Sequence, residues 1–249
     1  MILIIGTTKD DINYFEAQLK NKKEVMENNH IKVLLGDIFN QSVCLAYDVY
    51  SNIMSSAVVT YLIKKYDILA VFNVGSCHAF SDDLKAGDIV VSDVVLLGDV
   101  NLELIAKVKR GEIPGFNEGY VADSVFVNYI IEFAKDFMYG NVHNATFISC
   151  NKEFLNKDDI NDIKDDKVVM GKDTNIVFES TSGGCAFASK MFDVPFISVK
   201  IVMEKIKSNI TTQEMIKTIK ESSKVGKLVA ATIAEIGRND TIIDPDYQN

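Results

Sequence analysis

An apolar run from Ile68 to Val74 stops at Gly75-Ser76, a polar stretch follows, and Lys85-Ala86-Gly87-Asp88 turns directly into a second apolar run, Ile89-Val90-Val91. Continuous apolar runs bounded by glycine and charged turns mark strands buried on both faces. Strands of that kind exist only with helices packed above and below them. A buried strand ending in Gly-Ser also carries backbone N–H groups and a hydroxyl to its carboxyl end, where open α/β sheets bind their ligands. The feature therefore constrains the chain to a layered α/β domain and makes Ser76 a candidate ligand contact.

The remaining pattern agrees. Met1–Gly6, Ile31–Leu35, Val43–Tyr47, Val142–Ser149, Asn175–Glu179 and Phe196–Met203 read as strands. Asp10–Leu19, Ser51–Lys65, Ser124–Phe137, Thr181–Phe192 and Thr211–Ile236 read as helices, the third with Ser124 as its N-cap. Lys152–Lys167 is a charged excursion, expected to be a loop with a short helix. No linker-like shift in composition or internal repeat interrupts the 249 residues, so residues 1–249 are expected to form one domain, with 238–249 a frayed tail.

Composition limits the functions available. A net charge of −9 lacks the cationic face that phosphate tracking requires, which argues against nucleic acid as a partner. No apolar run is long enough to cross a membrane, and the opening Met1–Gly6 is too short and uncharged for a signal peptide, so a cytoplasmic protein with no membrane partner is expected. The four cysteines, Cys44, Cys77, Cys150 and Cys185, are far apart and read as reduced, packed thiols. With only His30, His78 and His143 to join them, and none at ligand spacing, no metal site is expected.

Residues 75–93 resemble the strand–loop–strand of the purine nucleoside phosphorylase and methylthioadenosine/S-adenosylhomocysteine nucleosidase superfamily, where a Gly-Ser precedes a Leu-Lys-x-Gly-Asp-Ile-Val-Val-Ser-Asp run. Gly6-Thr7-Thr8-Lys9-Asp10-Asp11, Asn73-Val74-Gly75-Ser76, Glu112-Ile113-Pro114-Gly115 and Asp193-Val194-Pro195-Phe196 resemble further family landmarks in the same order. The resemblance implies a three-layer, nucleoside-phosphorylase-like fold, a central mixed sheet flanked by helices. It also implies a homodimer, a small purine nucleoside as substrate and no cofactor. The phosphorylase form of the motif carries arginine where this chain has Asn73, which places the nucleosidase branch closer.

Cleaving the bond between a purine and ribose needs a carboxyl group to protonate the departing base and a held water on the opposite side of the sugar. By resemblance, Asp11 stands at the family's water-binding glutamate, and Lys200 at an arginine of the last active strand. Glu204 stands at the acid that protonates the base, and Ser76 beside the water. The family's Val-Glu-Met-Glu-Ala run falls on Phe178-Glu179-Ser180-Thr181-Ser182, so Glu179, Ser180 and Thr181 would meet the ribose. Phe154 would stack on the purine, and the backbone of Leu155 would read its edge.

Several of these positions depart from the family pattern. Asp11 is one methylene shorter than glutamate and would also suit an exposed first helix turn, where acids complement the helix dipole. Ser180-Thr181-Ser182 would equally serve as N-caps. His78 occupies a position that is glycine in the family, and a lone loop histidine is commonly structural. Asp48-Val49-Tyr50-Ser51-Asn52 replaces a glycine-rich turn. Three readings therefore follow: a nucleosidase acting on methylthioadenosine, S-adenosylhomocysteine or a related adenine nucleoside; a phosphate-dependent phosphorylase; or a nucleoside-binding protein without catalysis.

Overall fold

The structure is a computed structural model that describes residues 1–27, 31–116, 119–139, 141–152, 157–161, 163, 175–206 and 222–238. Among them, the strands are β1 (Ile2–Gly6), β2 (Lys20–Glu27), β3 (Ile31–Ile38), β4 (Gln41–Ala46), β5 (Ala70–Ala79), β6 (Ile89–Leu97), β7 (Tyr120–Val121), β8 (Val142–Ser149), β9 (Asn175–Glu179) and β10 (Phe196–Lys205). The helices are α1 (Lys9–Gln18), α2 (Asn52–Tyr66), α3 (Glu103–Ala106), α4 (Ser124–Asp136), α5 (Ser182–Met191) and α6 (Ser223–Arg238), with a 3-10 turn at Lys157–Ile160.

All ten strands belong to one mixed sheet, in the order β10-β6-β8-β9-β5-β1-β4-β3-β2, with β7 on β6. Because β10 also pairs with β5, the strands β5, β10, β6, β8 and β9 close into a ring, and β1, β4, β3 and β2 extend from it as an open sheet. The period-2 alternation of the central strands feeds two cores. Ile2, Ile4, Phe72, Ile197 and Val199 face α1, α4 and α6, which supply Phe15, Phe126, Ile130, Leu228 and Ile233. Leu3, Ile5, Val71 and Phe196 face α2 and α5, which supply Val58, Val59, Leu62, Cys185 and Ala186. This is the expected three-layer arrangement.

The structure adds one strand that the sequence pattern does not mark and corrects three local expectations. The charged run Lys20–Glu27 is a strand, β2, which lies at the sheet edge with mostly exposed side chains. Charge is common on edge strands because it discourages further pairing. The polar stretch after Gly75-Ser76 is not yet loop: β5 runs on to Ala79, since Cys77, His78 and Ala79 keep register with β10. The N-cap of α4 is Asp123, whose Oδ1 accepts from Val125 N at 2.9 Å and Phe126 N at 3.2 Å, and Ser124 is the first helical residue. The last strand extends beyond Met203 to Lys205. Of the expected Thr211–Ile236 helix, residues 223–236 are helical, and 211–221 lie outside the described residues, as does the tail from 239.

All four cysteines are buried and no disulfide joins them. Burial pushes the thiols of Cys44 and Cys185 up to about 12 and that of Cys77 higher still, which leaves all three protonated and unreactive.

Candidate active site

The site grows from β5. Along Ala70–Val74 this strand is flanked by β1 and β10; β1 stops at Gly6, and β9 takes up the pairing only at His78. Gly75 and Ser76 occupy the gap. Gly75 has φ +143°, and a Cβ there would stand 3.3 Å from Asp11 Oδ2, so glycine is what lets the strand pass close to that carboxylate. Ser76, half-buried, follows it.

Asp11 arrives from the first turn of α1. Thr8 caps this helix and donates from its backbone N to Asp11 Oδ2 at 2.8 Å and from Oγ1 at 3.3 Å. Asp11, half-buried, thus closes the capping box of α1 and at the same time faces Gly75. Burial pushes its carboxyl up from the ordinary value, against the Thr8 hydrogen bonds and the charge of Lys200, which hold it down.

Lys200 lies opposite Gly75 on β10 and is 1% exposed. Its Nζ stands 3.0 Å from Glu179 Oε2 and donates to Thr181 Oγ1 at 3.0 Å. Glu179 ends β9. The same Oε2 accepts from Thr181 N at 2.8 Å, from Ser182 N at 2.9 Å and from Thr181 Oγ1 at 3.2 Å. Thus α5 is capped by the carboxylate of Glu179 and not by a side-chain bond from Thr181, its N-cap residue. Burial alone would push the Glu179 carboxyl up. Lys200, the Ser149 hydroxyl and the two backbone N–H groups outweigh it and hold the carboxyl below its ordinary value. Ser180 sits half-buried between the two.

Sequence reasoning missed the layer beneath. Asn73 Oδ1 accepts from Ser182 Oγ at 2.9 Å and Ser198 Oγ at 3.0 Å, and its Nδ2 donates to Ile5 O at 3.2 Å. Ser198 N in turn donates to Ser92 Oγ at 3.0 Å. The signal was available: Asn73 and Ser198 interrupt otherwise apolar strands, and a polar side chain inside a buried strand needs partners.

Glu204 stands farther along β10. A bulge between Val202 and Glu204 inserts Met203 as the extra residue, so that Glu204 comes opposite His78 on β5. Bulges of this kind re-aim a side chain. At about 3.3 Å per residue, the three steps along β5 from Gly75 to His78 put Glu204 roughly 10 Å beyond Lys200. The structure thus gathers Asp11, Ser76, Lys200, Glu179, Ser180 and Thr181 around the β5 gap and places Glu204 with His78 beyond it. Phe154 and Leu155 lie outside the described residues. Separate hollows occur elsewhere, one of about 740 Å³ beside Ser81, Asp83, His143, Asn144 and Asn175. It contains none of these groups, and no cluster of metal-ligating side chains occurs among the described residues.

Residues 1–236 match the model of the phosphorylase superfamily, and the chain belongs to that family. Among curated relatives, it is 25% identical over 232 residues to a 5'-methylthioadenosine/S-adenosylhomocysteine nucleosidase of an Exiguobacterium species, covering 92% of this chain and 95% of that one. The corresponding protein of Oceanobacillus iheyensis is 28% identical over 160 residues, 64% of this chain and 68% of the relative. The fold matches that of the Neisseria meningitidis nucleosidase, solved with methylthio-immucillin-A, at a TM-score of 0.85 and 16% identity over 94% of this chain and 98% of that one. It also matches the futalosine hydrolase of Helicobacter pylori, at a TM-score of 0.82 and 16% identity over 94% and 97%.

Proposed function

We propose that the protein is a nucleosidase that hydrolyses the N-glycosidic bond of an adenine nucleoside of the methylthioadenosine or S-adenosylhomocysteine type. The observation that carries this reading is the convergence of Asp11, Ser76 and the Lys200–Glu179 pair on the gap beside Gly75, with a second acid, Glu204, farther along the same strand. In the reaction, the bond between the anomeric carbon and the purine nitrogen breaks with its electron pair on the base. Glu204 delivers a proton to the purine ring. A water held by Asp11 and Ser76 bonds to the anomeric carbon from the opposite face and gives its proton to Asp11. Glu179, Ser180 and Thr181 meet the ribose, and the Glu179 carboxylate steadies the positive charge that develops on it. Phe154 and Leu155 are assigned to the base.

Hydrolysis is favoured over phosphorolysis because a phosphate dianion needs a cation free to bind it. Lys200, the cation of the described cluster, is committed to Glu179 and Thr181. The same commitment supports a second reading, a nucleoside-binding protein without turnover: the Thr181 hydroxyl is used internally, with Lys200 Nζ at 3.0 Å and Glu179 Oε2 at 3.2 Å. A homodimer is part of the proposal, supported by exposed apolar side chains at Leu104 (99%), Ile105 (85%) and Ile53 (75%).

The deciding experiment incubates purified protein with methylthioadenosine, with and without phosphate, and follows free adenine. Phosphate-independent release is expected. Release only with phosphate would replace the reading by phosphorolysis. No release, with a rise in melting temperature on adding the nucleoside, would leave binding alone.

A further inference from the structure

Asn52 opens α2 yet points inward, with 6% of its surface exposed. Its Oδ1 accepts from Ser149 Oγ at 2.8 Å and from Gly184 N at 3.0 Å, and the second bond fixes which amide atom faces α5. Ser149 Oγ accepts from Gly183 N at 2.9 Å. One turn farther along α2, Ser55 Oγ donates to Thr181 O at 2.9 Å. Three segments, the start of α2, the end of β8 and the start of α5, are thus tied together directly behind Glu179. The glycines make the approach possible: a Cβ on Gly184 would lie 2.0 Å from Asn52 O, and one on Gly183 would lie 3.0 Å from Asn52 Oδ1.

This arrangement is poor economy for stability alone. Asn52 Nδ2 and Glu179 Oε1 are both buried without a hydrogen-bond partner. A buried orphan polar atom costs about 1–3 kcal/mol, a cost Asn52 carries at Nδ2 while its Oδ1 satisfies two buried donors, Ser149 Oγ and Gly184 N. What the asparagine provides is placement of the α5 N-terminus and of Ser149, and through them of the carboxylate. Four donors then converge on Glu179 Oε2, while Oε1 is buried without a partner, an ionised acceptor that a hydroxyl reaching it would satisfy.

We propose that Asn52 and Ser149 are positioning residues for Glu179, fixing its carboxylate so that Oε1 is presented to a hydroxyl of the substrate sugar. This rests on the nucleosidase reading above. The charged and titratable groups around Glu179 are Lys200 from β10, the Cys77 thiol from β5 and the Cys185 thiol from α5, with Asp11 of α1 coupled to Lys200.

The test is a double-mutant cycle of Asn52→Ala and of Ser149→Ala, each against Glu179→Gln, read as kcat and KM for methylthioadenosine. Each positioning variant alone is expected to lower kcat/KM by about 10- to 100-fold, through loss of the hydrogen bonds that hold the α5 N-terminus against Glu179. In the Glu179→Gln background the further loss should nearly vanish. Additive losses in both cycles would overturn the inference, and Ser149→Ala, which removes a single oxygen, keeps the test available if Asn52→Ala does not fold. A second arm needs no turnover: the carboxyl carbon of Glu179 is titrated by NMR in wild type and Ser149→Ala. An upward shift of its midpoint is expected, and an unchanged midpoint would overturn the inference. If the wild type releases no adenine, the nucleosidase reading fails and the titration still decides whether Ser149 acts on Glu179.

Discussion

At the scale of single residues, the site pairs a carboxylate that burial disfavours with one that its neighbours hold ionised. Asp11, pushed up by burial, is destabilised in its charged form at neutral pH, and that cost is relieved as pH falls toward the ordinary aspartate value of 3.8. Glu179, held down, contributes stability that is fully present above 4.5 and is lost as pH falls through its lower folded value. Urea melts across this range should therefore show Asp11→Asn gaining stability relative to wild type near neutral pH, with the advantage shrinking in acid, while Glu179→Gln shows the reverse trend. Asp11→Asn should also lower kcat by about 100-fold or more, because the amide cannot take the proton of the attacking water; unchanged turnover would remove Asp11 from the mechanism. Lys200→Met leaves Glu179 ionised and unpaired in the interior. Its cost by denaturant unfolding should be about 3–5 kcal/mol, and Lys200→Met combined with Glu179→Leu should recover a large part of it.

Elements explain why these residues meet. The gap in β5 exists because β1 ends at Gly6 and β9 begins its pairing only at His78. Gly75→Ala should cost both stability and activity, since it adds a side chain at φ +143° and crowds the Asp11 carboxylate; a variant with wild-type kcat/KM would show that this contact is dispensable. At the far edge, β2 is pinned by Glu27, whose carboxylate accepts from Tyr61 Oη at 2.9 Å and also meets Lys65 and Tyr66. Hydrogen bonds from Lys65 and Tyr66 hold that carboxyl below its ordinary value, so its contribution is present above 4.5 and fades in acid. Protection of the β2 amides, measured against intrinsic exchange at each pH, should therefore fall on acidification before that of the β5 amides does, and Glu27→Gln should remove the difference. The buried strands and the helices that cover them were legible in the sequence because apolar period and turn residues report burial directly. The edge strand β2 and the tail of β5 were not, since their pairing is imposed by neighbours and leaves no apolar run. Asp11, Lys200 and Glu179 were found through resemblance to a family motif. The network of Asn73, Ser198, Ser149 and Asn52 needed the fold, for it joins residues up to 132 positions apart.

For the whole molecule, the decisive feature is that β10 bonds both β5 and β6 and so closes the ring. A chain ending at residue 195 would leave two long apolar edges bare, together with the faces of α1, α4 and α5 that α6 and β10 cover. Such a fragment is expected to lose cooperative unfolding, to bind an apolar dye and to aggregate; a monomeric fragment with a sharp melting transition would show that the ring is not needed for folding. The closure also has a consequence during synthesis. Asp11 and Ser76 leave the ribosome early, but Lys200 and Glu204 lie on the strand that shuts the ring. The proposed catalytic constellation therefore cannot assemble piecemeal on a growing chain. It comes into being in one late event, and a half-made polypeptide carries exposed edges and no site, which makes the interval before β10 is docked the stretch of this protein's life in which a chaperone has most to protect.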